Sequence, residues 1–212
     1  MSAPVPSVPE RDLVRNDYRI ILDLVEPGSR VLDLGCGSGH LLALLRDRRK
    51  VGGYGLELDE ERIVECIERG LSVFHCNIDD GLRDFDNQSF DYVILNQTLP
   101  VTHKPELVIL EMARVGRRSI VSFANFAHWR VRLGLLLNGR MPVSETIPYQ
   151  WFETPNIHHL TLTDFDVLCR RNRLGVLDRY YFRHLDRGAV TRRCRWANFR
   201  AAYALYLLAP EA

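Results

Sequence analysis

Long apolar runs, paired cysteines and an excess of charge of either sign are all missing from this 212-residue chain, and each absence removes a class of function. No stretch approaches the roughly 20 apolar residues that span a bilayer, and residues 1–10 carry neither a basic start nor an apolar run, so neither membrane association nor secretion is expected. The five cysteines, Cys36, Cys66, Cys76, Cys169 and Cys194, are odd in number, scattered and without a Cys-x-x-Cys pair. A disulfide framework and a metal site are therefore not expected, and reduced thiols in the cytoplasm are. The formal net charge of +1 supplies no global attraction to nucleic acid. What is present is ordinary for a globular protein, 46% hydrophobic and 26% charged residues. The length suits one large domain, expected over residues 11–212 behind a disordered tail over 1–10 that contains Pro4, Pro6 and Pro9.

Against that background one stretch stands out: Val31-Leu32-Asp33-Leu34-Gly35-Cys36-Gly37-Ser38-Gly39-His40, an apolar strand joined to a helix through three alternating glycines. Glycine lets the chain take positive φ and lets a ligand approach the backbone, while the first turn of the following helix offers unpaired N–H groups to an anion. The dinucleotide fingerprint Gly-x-Gly-x-x-Gly is absent, because its last glycine position is His40. The pattern Asp33-x-Gly35-x-Gly37-x-Gly39 instead resembles motif I of class I S-adenosylmethionine (SAM) methyltransferases. That resemblance implies that the loop amides and Asp33 hold the methionine end of the cofactor.

Hydrophobic periodicity supplies the frame around this loop. Leu13, Ile20, Ile21, Leu24 and Val25 recur at helical spacing over residues 11–25, and Pro27-Gly28 stops the helix. Strands are expected at 31–34, 54–58, 71–76, 90–95, 119–123, 176–182 and 201–208, and helices at 40–48, at 61–69 before Gly70, between the fourth and fifth strands, and at 161–171. Thr161-x-x-Asp164 has the form of a capping arrangement at the start of that last helix. No internal repeat is visible. The expected fold is α/β: a seven-stranded, doubly wound, Rossmann-like sheet of the class I SAM-dependent methyltransferase type with an insertion after strand five.

Glu57 lies about twenty residues past the glycine loop at the end of the next strand, where an acid can accept hydrogen bonds from ribose hydroxyls. Asn77-Ile78 follows the third strand, where this class usually carries an acid beside an apolar residue for adenine; Asn77 accepts only as a neutral amide, with Asp79 or Asp80 as substitutes. The fourth strand runs into Asn96-Gln97-Thr98-Leu99-Pro100, which contains neither Asn-Pro-Pro-Tyr nor Pro-Cys and so names no reaction. His103, His128, His158 and His159 are the available bases, and no catalytic residue is assigned.

The segment over residues 125–160 is too long and too aromatic for a plain connector. It reads Asn125-Phe126-Ala127-His128-Trp129-Arg130-Val131-Arg132, then Asn138-Gly139-Arg140-Met141-Pro142, then Pro148-Tyr149-Gln150-Trp151-Phe152-Glu153-Thr154-Pro155-Asn156-Ile157-His158. With Asp33-Leu-Gly-Cys-Gly, Gly55-Leu-Glu57 and Asn96-Gln97-Thr98-Leu99, it closely resembles the MetW family of methionine biosynthesis proteins over nearly the whole chain after Val8. Departures stand at Pro100, Ala127, Phe152 and Asn77, where the family usually has Gln, Gly, Tyr and an acid.

The resemblance implies a SAM or S-adenosylhomocysteine (SAH) site built from Asp33, Gly35, Cys36, Gly37, Gly39, Glu57, Leu58, Asn77, Ile78 and Asn96. It also implies association with MetX, a homoserine O-acyltransferase, as its partner and activator. The insertion is the expected contact, through Trp129, Arg130, Arg132, Met141, Tyr149, Trp151 and Phe152, residue types that dominate binding energy at interfaces. Because fold does not determine function, a methyltransferase acting on a small molecule stays open, with the insertion as a lid, as does an RNA methyltransferase. The RNA reading rests on the arginines over 179–200, expected as an exposed, solvated hairpin between the last two strands, so nucleic acid is not an expected partner.

Overall fold

Two apolar faces on one sheet require helices on both sides, and the alternation of each strand decides which residues meet which helix. The computed structural model describes residues 15–211. The tail expected over 1–10 and the helical start expected at 11–14 lie outside the described residues. The elements run α1 (Asn16–Leu24), β1 (Arg30–Leu34), α2 (His40–Arg49), β2 (Gly52–Glu57), α3 (Glu60–Glu68), β3 (Ser72–His75), β4 (Phe90–Asn96), α4 (Pro105–Val115), β5 (Gly116–Ala124), α5 (Trp129–Asn138), α6 (Leu162–Arg171), β6 (Leu174–Phe182), α7 (Ala197–Arg200) and β7 (Tyr203–Pro210). The seven strands form one sheet in the order β3-β2-β1-β4-β5-β7-β6, with β7 antiparallel to both of its neighbours. This is the expected fold, the class I SAM-dependent methyltransferase sheet.

Leu32, Leu34, Leu95, Val121 and Phe123 point to one face, where they meet Val108, Ile109 and Met112 of α4 and Phe165 and Cys169 of α6. Val31, Ile94 and Ile120 point to the other, against Tyr18 and Ile21 of α1 and Leu41 and Leu45 of α2. Two residues further along the same face come Asp33, Asn96 and Ser122, so the α1 side of the sheet turns polar at its carboxyl end. The order of the sheet reverses between β1 and β4, and in such sheets ligands bind in the crevice outside the carboxyl ends of the strands at that point.

Local signals held where they were strongest. The capping arrangement at α6 is reciprocal, with Asp164 N donating to Thr161 Oγ1 at 3.2 Å and Thr161 N to Asp164 Oδ2 at 3.1 Å. The plain hairpin expected over 179–200 is not what the chain forms. Arg179 belongs to β6 and pairs with Asp166 at 3.0 Å, Thr191 folds back to exchange backbone hydrogen bonds with Tyr181, and α7 precedes β7.

Candidate functional site

The glycine loop leaves β1 and turns into α2 with positive φ at Gly35, Gly37 and Gly39, a conformation that side chains with a Cβ rarely tolerate. Close packing adds a second reason at Gly39, where a methyl group would stand 2.4 Å from Leu71 Cδ1 and 2.9 Å from Cys66 Sγ. The Cys36 side chain turns away from the cleft toward β2, where a methyl group on Gly55 would meet its Sγ at 2.5 Å. Cys36 Sγ lies 3.9 Å from Cys66 Sγ, and Cys66 donates to Gly37 O at 3.1 Å. That thiol contact first, then burial and the Asp33 carboxylate, push the Cys36 thiol up, so it stays protonated and only its backbone serves the loop.

Two connected cavities open beside the loop. One, of 440 Å³, is lined by Leu56, Glu57, Leu58, Asn77, Ile78 and Val101 among others, a largely apolar slot with an acid at its inner end. The other, of 720 Å³, is lined by Asp33, Gly35, Gly37, Ser38, His40, Arg15, Tyr18, Arg62 and Asn96 among others. Gly35, Glu57, Arg62, Thr98 and Val101 border both, so the two cavities meet at Glu57.

Glu57 is almost fully buried and already holds three backbone amides, from Gly37 at 2.7 Å, Leu58 at 2.9 Å and Asp59 at 3.1 Å. A carboxylate offers about four lone-pair sites, so Glu57 braces the loop and keeps room for about one further donor. Asp33 is the opposite case: 2% exposed, its carboxylate makes no hydrogen bond with the described residues. Burial, and after it the Glu57 carboxylate, push its carboxyl from 3.8 up to about 7. A buried carboxyl without a hydrogen-bond partner beside the glycine loop suits a ligand that brings its own cation. The amino-acid end of SAM or SAH carries one, and its nucleoside suits the apolar slot, so the residues present fit the cofactor.

The other expected residues are placed as follows. Leu58 and Ile78 line the slot. Asn77 does too, but its Oδ1 accepts from Asp79 N at 3.0 Å as the cap of a short 3-10 turn, Ile78–Asp80. Asp79, the substitute acid, is buried and held by the amides of His103 at 3.0 Å and Lys104 at 2.7 Å. Asn96 reaches the larger cavity, yet its amide donates to Asp17 Oδ2 at 3.0 Å and its oxygen accepts from Ser122 Oγ. Of the four histidines, none lines either cavity. His128 is buried, and burial first, then Arg130, Arg183 and His184, hold it below the ordinary histidine range.

Residues the sequence reading passed over are Arg15, Asp17, Tyr18 and Arg62. Asp17 is fully buried, grips Arg15 through both oxygens at 3.1 and 2.6 Å, and ties α1 to Asn96 at the cleft. It follows the spacing of Ile20, Ile21 and Leu24, and a carboxylate on that apolar stripe was the signal that could have found it.

The MetW family, described as methionine biosynthesis protein MetW, matches residues 15–208. The chain belongs to that family. A bifunctional methionine biosynthesis protein MetXA/MetW from Rhodopirellula baltica is 37% identical over 193 residues, covering 86% of this chain and 31% of that protein. The chain thus spans about a third of the length of this curated relative. Among solved structures, a Thermotoga maritima SAM-dependent methyltransferase, titled a possible histamine N-methyltransferase, superimposes with a TM-score of 0.68 at 16% identity, covering 93% of this chain and 88% of that one. The cyclase SpnF superimposes with a TM-score of 0.65 at 14% identity, covering 92% and 81%. These likenesses establish the fold.

In this MetW chain the insertion does not fold its aromatics over the cleft. Pro155 alone of residues 125–160 is among the cavity-lining residues there. Trp151 is 71% and Phe152 65% exposed, packed edge to face at 5.6 Å between ring centres, and Tyr149, Trp129 and Met141 are also exposed. Leu136 and Leu137 of α5, 78% and 76% exposed, extend the apolar surface, and only Val131 of that helix is buried. The segment is nonetheless anchored. Asn125 Nδ2 donates to Ala201 O at 2.8 Å, Arg132 Nε to Ala127 O at 2.7 Å, and Ile157 N to Pro100 O at 2.8 Å beside the cleft.

Proposed function

We propose that this chain is a SAM- or SAH-binding subunit that associates with MetX, a homoserine O-acyltransferase, and activates it. One observation carries the reading: the relative in which a MetW part, 37% identical to this chain, is joined to MetXA in a single polypeptide. Covalent joining guarantees high effective concentration, and separate chains that replace such a fusion must supply the contact themselves. The exposed Trp, Phe and Leu side chains of the insertion provide apolar surface for that contact, next to the carboxyl end of the sheet. The cofactor site is the glycine-loop cleft, with Asp33 facing the ammonium, the Ser38 amide facing the carboxylate, since the Gly35, Cys36, Gly37 and Gly39 amides donate within the protein, and Glu57 facing the ribose. His40, at the start of α2, stands at the wall of that cleft, whereas His103, His128, His158 and His159 do not line it.

Gel filtration tests the partnership: this chain and a separately produced homoserine O-acyltransferase, mixed with SAM, should co-elute, with SAM recovered unchanged. Separate elution together with accumulation of SAH in the presence of metabolites would establish a methyltransferase instead.

A further inference from the structure

The connection between β6 and β7 holds six arginines, Arg183, Arg187, Arg192, Arg193, Arg195 and Arg200, against one acid, Asp186. Two of the six have structural employment. Arg187 pairs with Glu145 at 3.3 Å, and Arg192 pairs with Asp178 at 3.2 Å and donates to Tyr180 Oη at 2.7 Å. These contacts, with His184 on Glu145 at 2.9 Å and Asn16 Nδ2 on the carbonyls of His184 and Arg187 at 2.9 Å each, hold the connection as a frame against β6, α1 and the insertion.

The other four, Arg183, Arg193, Arg195 and Arg200, make no side-chain hydrogen bond or ion pair among the described residues, and all four line one concavity of 530 Å³. Gly188, at φ +84 with open space where a side chain would stand, and Thr191 complete part of its wall. Like charges gathered on a braced frame repel one another, and that repulsion is relieved by a counter-charge of matching multiplicity. Guanidinium groups match phosphate oxygens in paired hydrogen bonds. The volume falls within the roughly 300–1,000 Å³ of small-molecule sites.

We propose that this concavity is a second ligand site, distinct from the glycine-loop cleft, which binds a small molecule carrying two or more phosphate groups through Arg183, Arg193, Arg195 and Arg200. Its confinement to residues 181–201 favours a small ligand over a nucleic acid strand, which needs a basic groove that continues along its backbone. The net charge of only +1 for the whole chain agrees with an attraction confined to this place.

Inorganic tripolyphosphate is the probe, because it carries no adenosine for the other cleft. Calorimetric titration of the full chain, with SAH present at saturation, should give one tripolyphosphate site. The double substitution Arg193→Ala, Arg195→Ala should weaken it by about a hundredfold, tenfold per arginine at the low end of a charge-assisted hydrogen bond, and leave SAH binding and the melting temperature unchanged. Absence of tripolyphosphate binding at millimolar concentration, or equal binding by the double variant, overturns the proposal. So does a single-stranded RNA that binds more tightly than tripolyphosphate with a steep salt dependence, which reassigns the arginines to nucleic acid.

Discussion

Asp33 carries a charge that the fold accepts only at a cost. Its carboxyl rises from 3.8 to about 7, so between those values the folded chain keeps a proton that the unfolded chain has released. A carboxyl raised in this way contributes most favourably below its unfolded value, loses that contribution as pH climbs toward 7, and changes nothing further above it. The accumulated cost is on the order of 4 kcal/mol. Asp33→Asn removes it, so the variant's stability advantage over the parent should grow from pH 4 to pH 7 and then level off, as read by urea unfolding at pH 5 and pH 8. An advantage independent of pH would mean that the side chain is not buried as described. The same substitution should weaken SAH binding, because the ammonium loses its partner.

Glu57 works inward as much as outward. The sequence suggested an acid reserved for a ribose, whereas three of its acceptor sites hold the backbone amides of Gly37, Leu58 and Asp59. Hydrogen bonds to a buried charge are worth about 1.5–3 kcal/mol each. Glu57→Ala should therefore lower the melting temperature of the ligand-free chain by several degrees as well as abolish the shift that ligand produces. Glu57→Gln, which keeps one acceptor oxygen, should lie between. A normal melting temperature in Glu57→Ala would contradict the bracing role.

At the scale of elements, the sheet was readable because its signals are local. The apolar strand runs, the Pro27-Gly28 stop, Gly70 and the Thr161 and Asp164 cap each act within a few residues. What escaped was tertiary. Asp17 reaches Asn96 across 79 positions, and Arg192 reaches Asp178 because the chain folds back on β6, neither of which leaves a short-range pattern. The left-handed turns of the glycine loop were legible in its three glycines, but not the turning of the Cys36 side chain toward Gly55, which depends on the neighbouring strand.

The insertion is the element whose role the exposure of its aromatics bears on most directly. Trp151 and Phe152 touch each other and otherwise face outward, so truncating them creates no cavity. Trp151→Ala should leave the melting temperature near that of the parent and cost about 2 kcal/mol of affinity for the acyltransferase, roughly thirtyfold in Kd. Unchanged affinity in the double substitution Trp151→Ala, Phe152→Ala would remove this surface from the interface.

On the scale of the whole molecule, a methyltransferase sheet carries a cleft with a bracing acid and a buried acid whose carboxylate has no hydrogen-bond partner among the described residues, beside an anchored apolar surface. The fold by itself does not decide the activity: structures of this shape include one titled a methyltransferase and one titled a cyclase. The fused relative is what directs the reading toward a subunit of an acyltransferase. Ligand at about a hundred times its Kd should add roughly 2.7 kcal/mol to stability, which ties the state of the cleft to the state of the subunit.

The central claim is activation, and a titration measures it. Homoserine O-acyltransferase is held at a fixed concentration and its rate is followed as this chain is added. The account predicts a rate that rises with added chain and saturates, and that rises less with Trp151→Ala at the same concentration. A rate that stays flat across the titration, with both proteins folded, would contradict it.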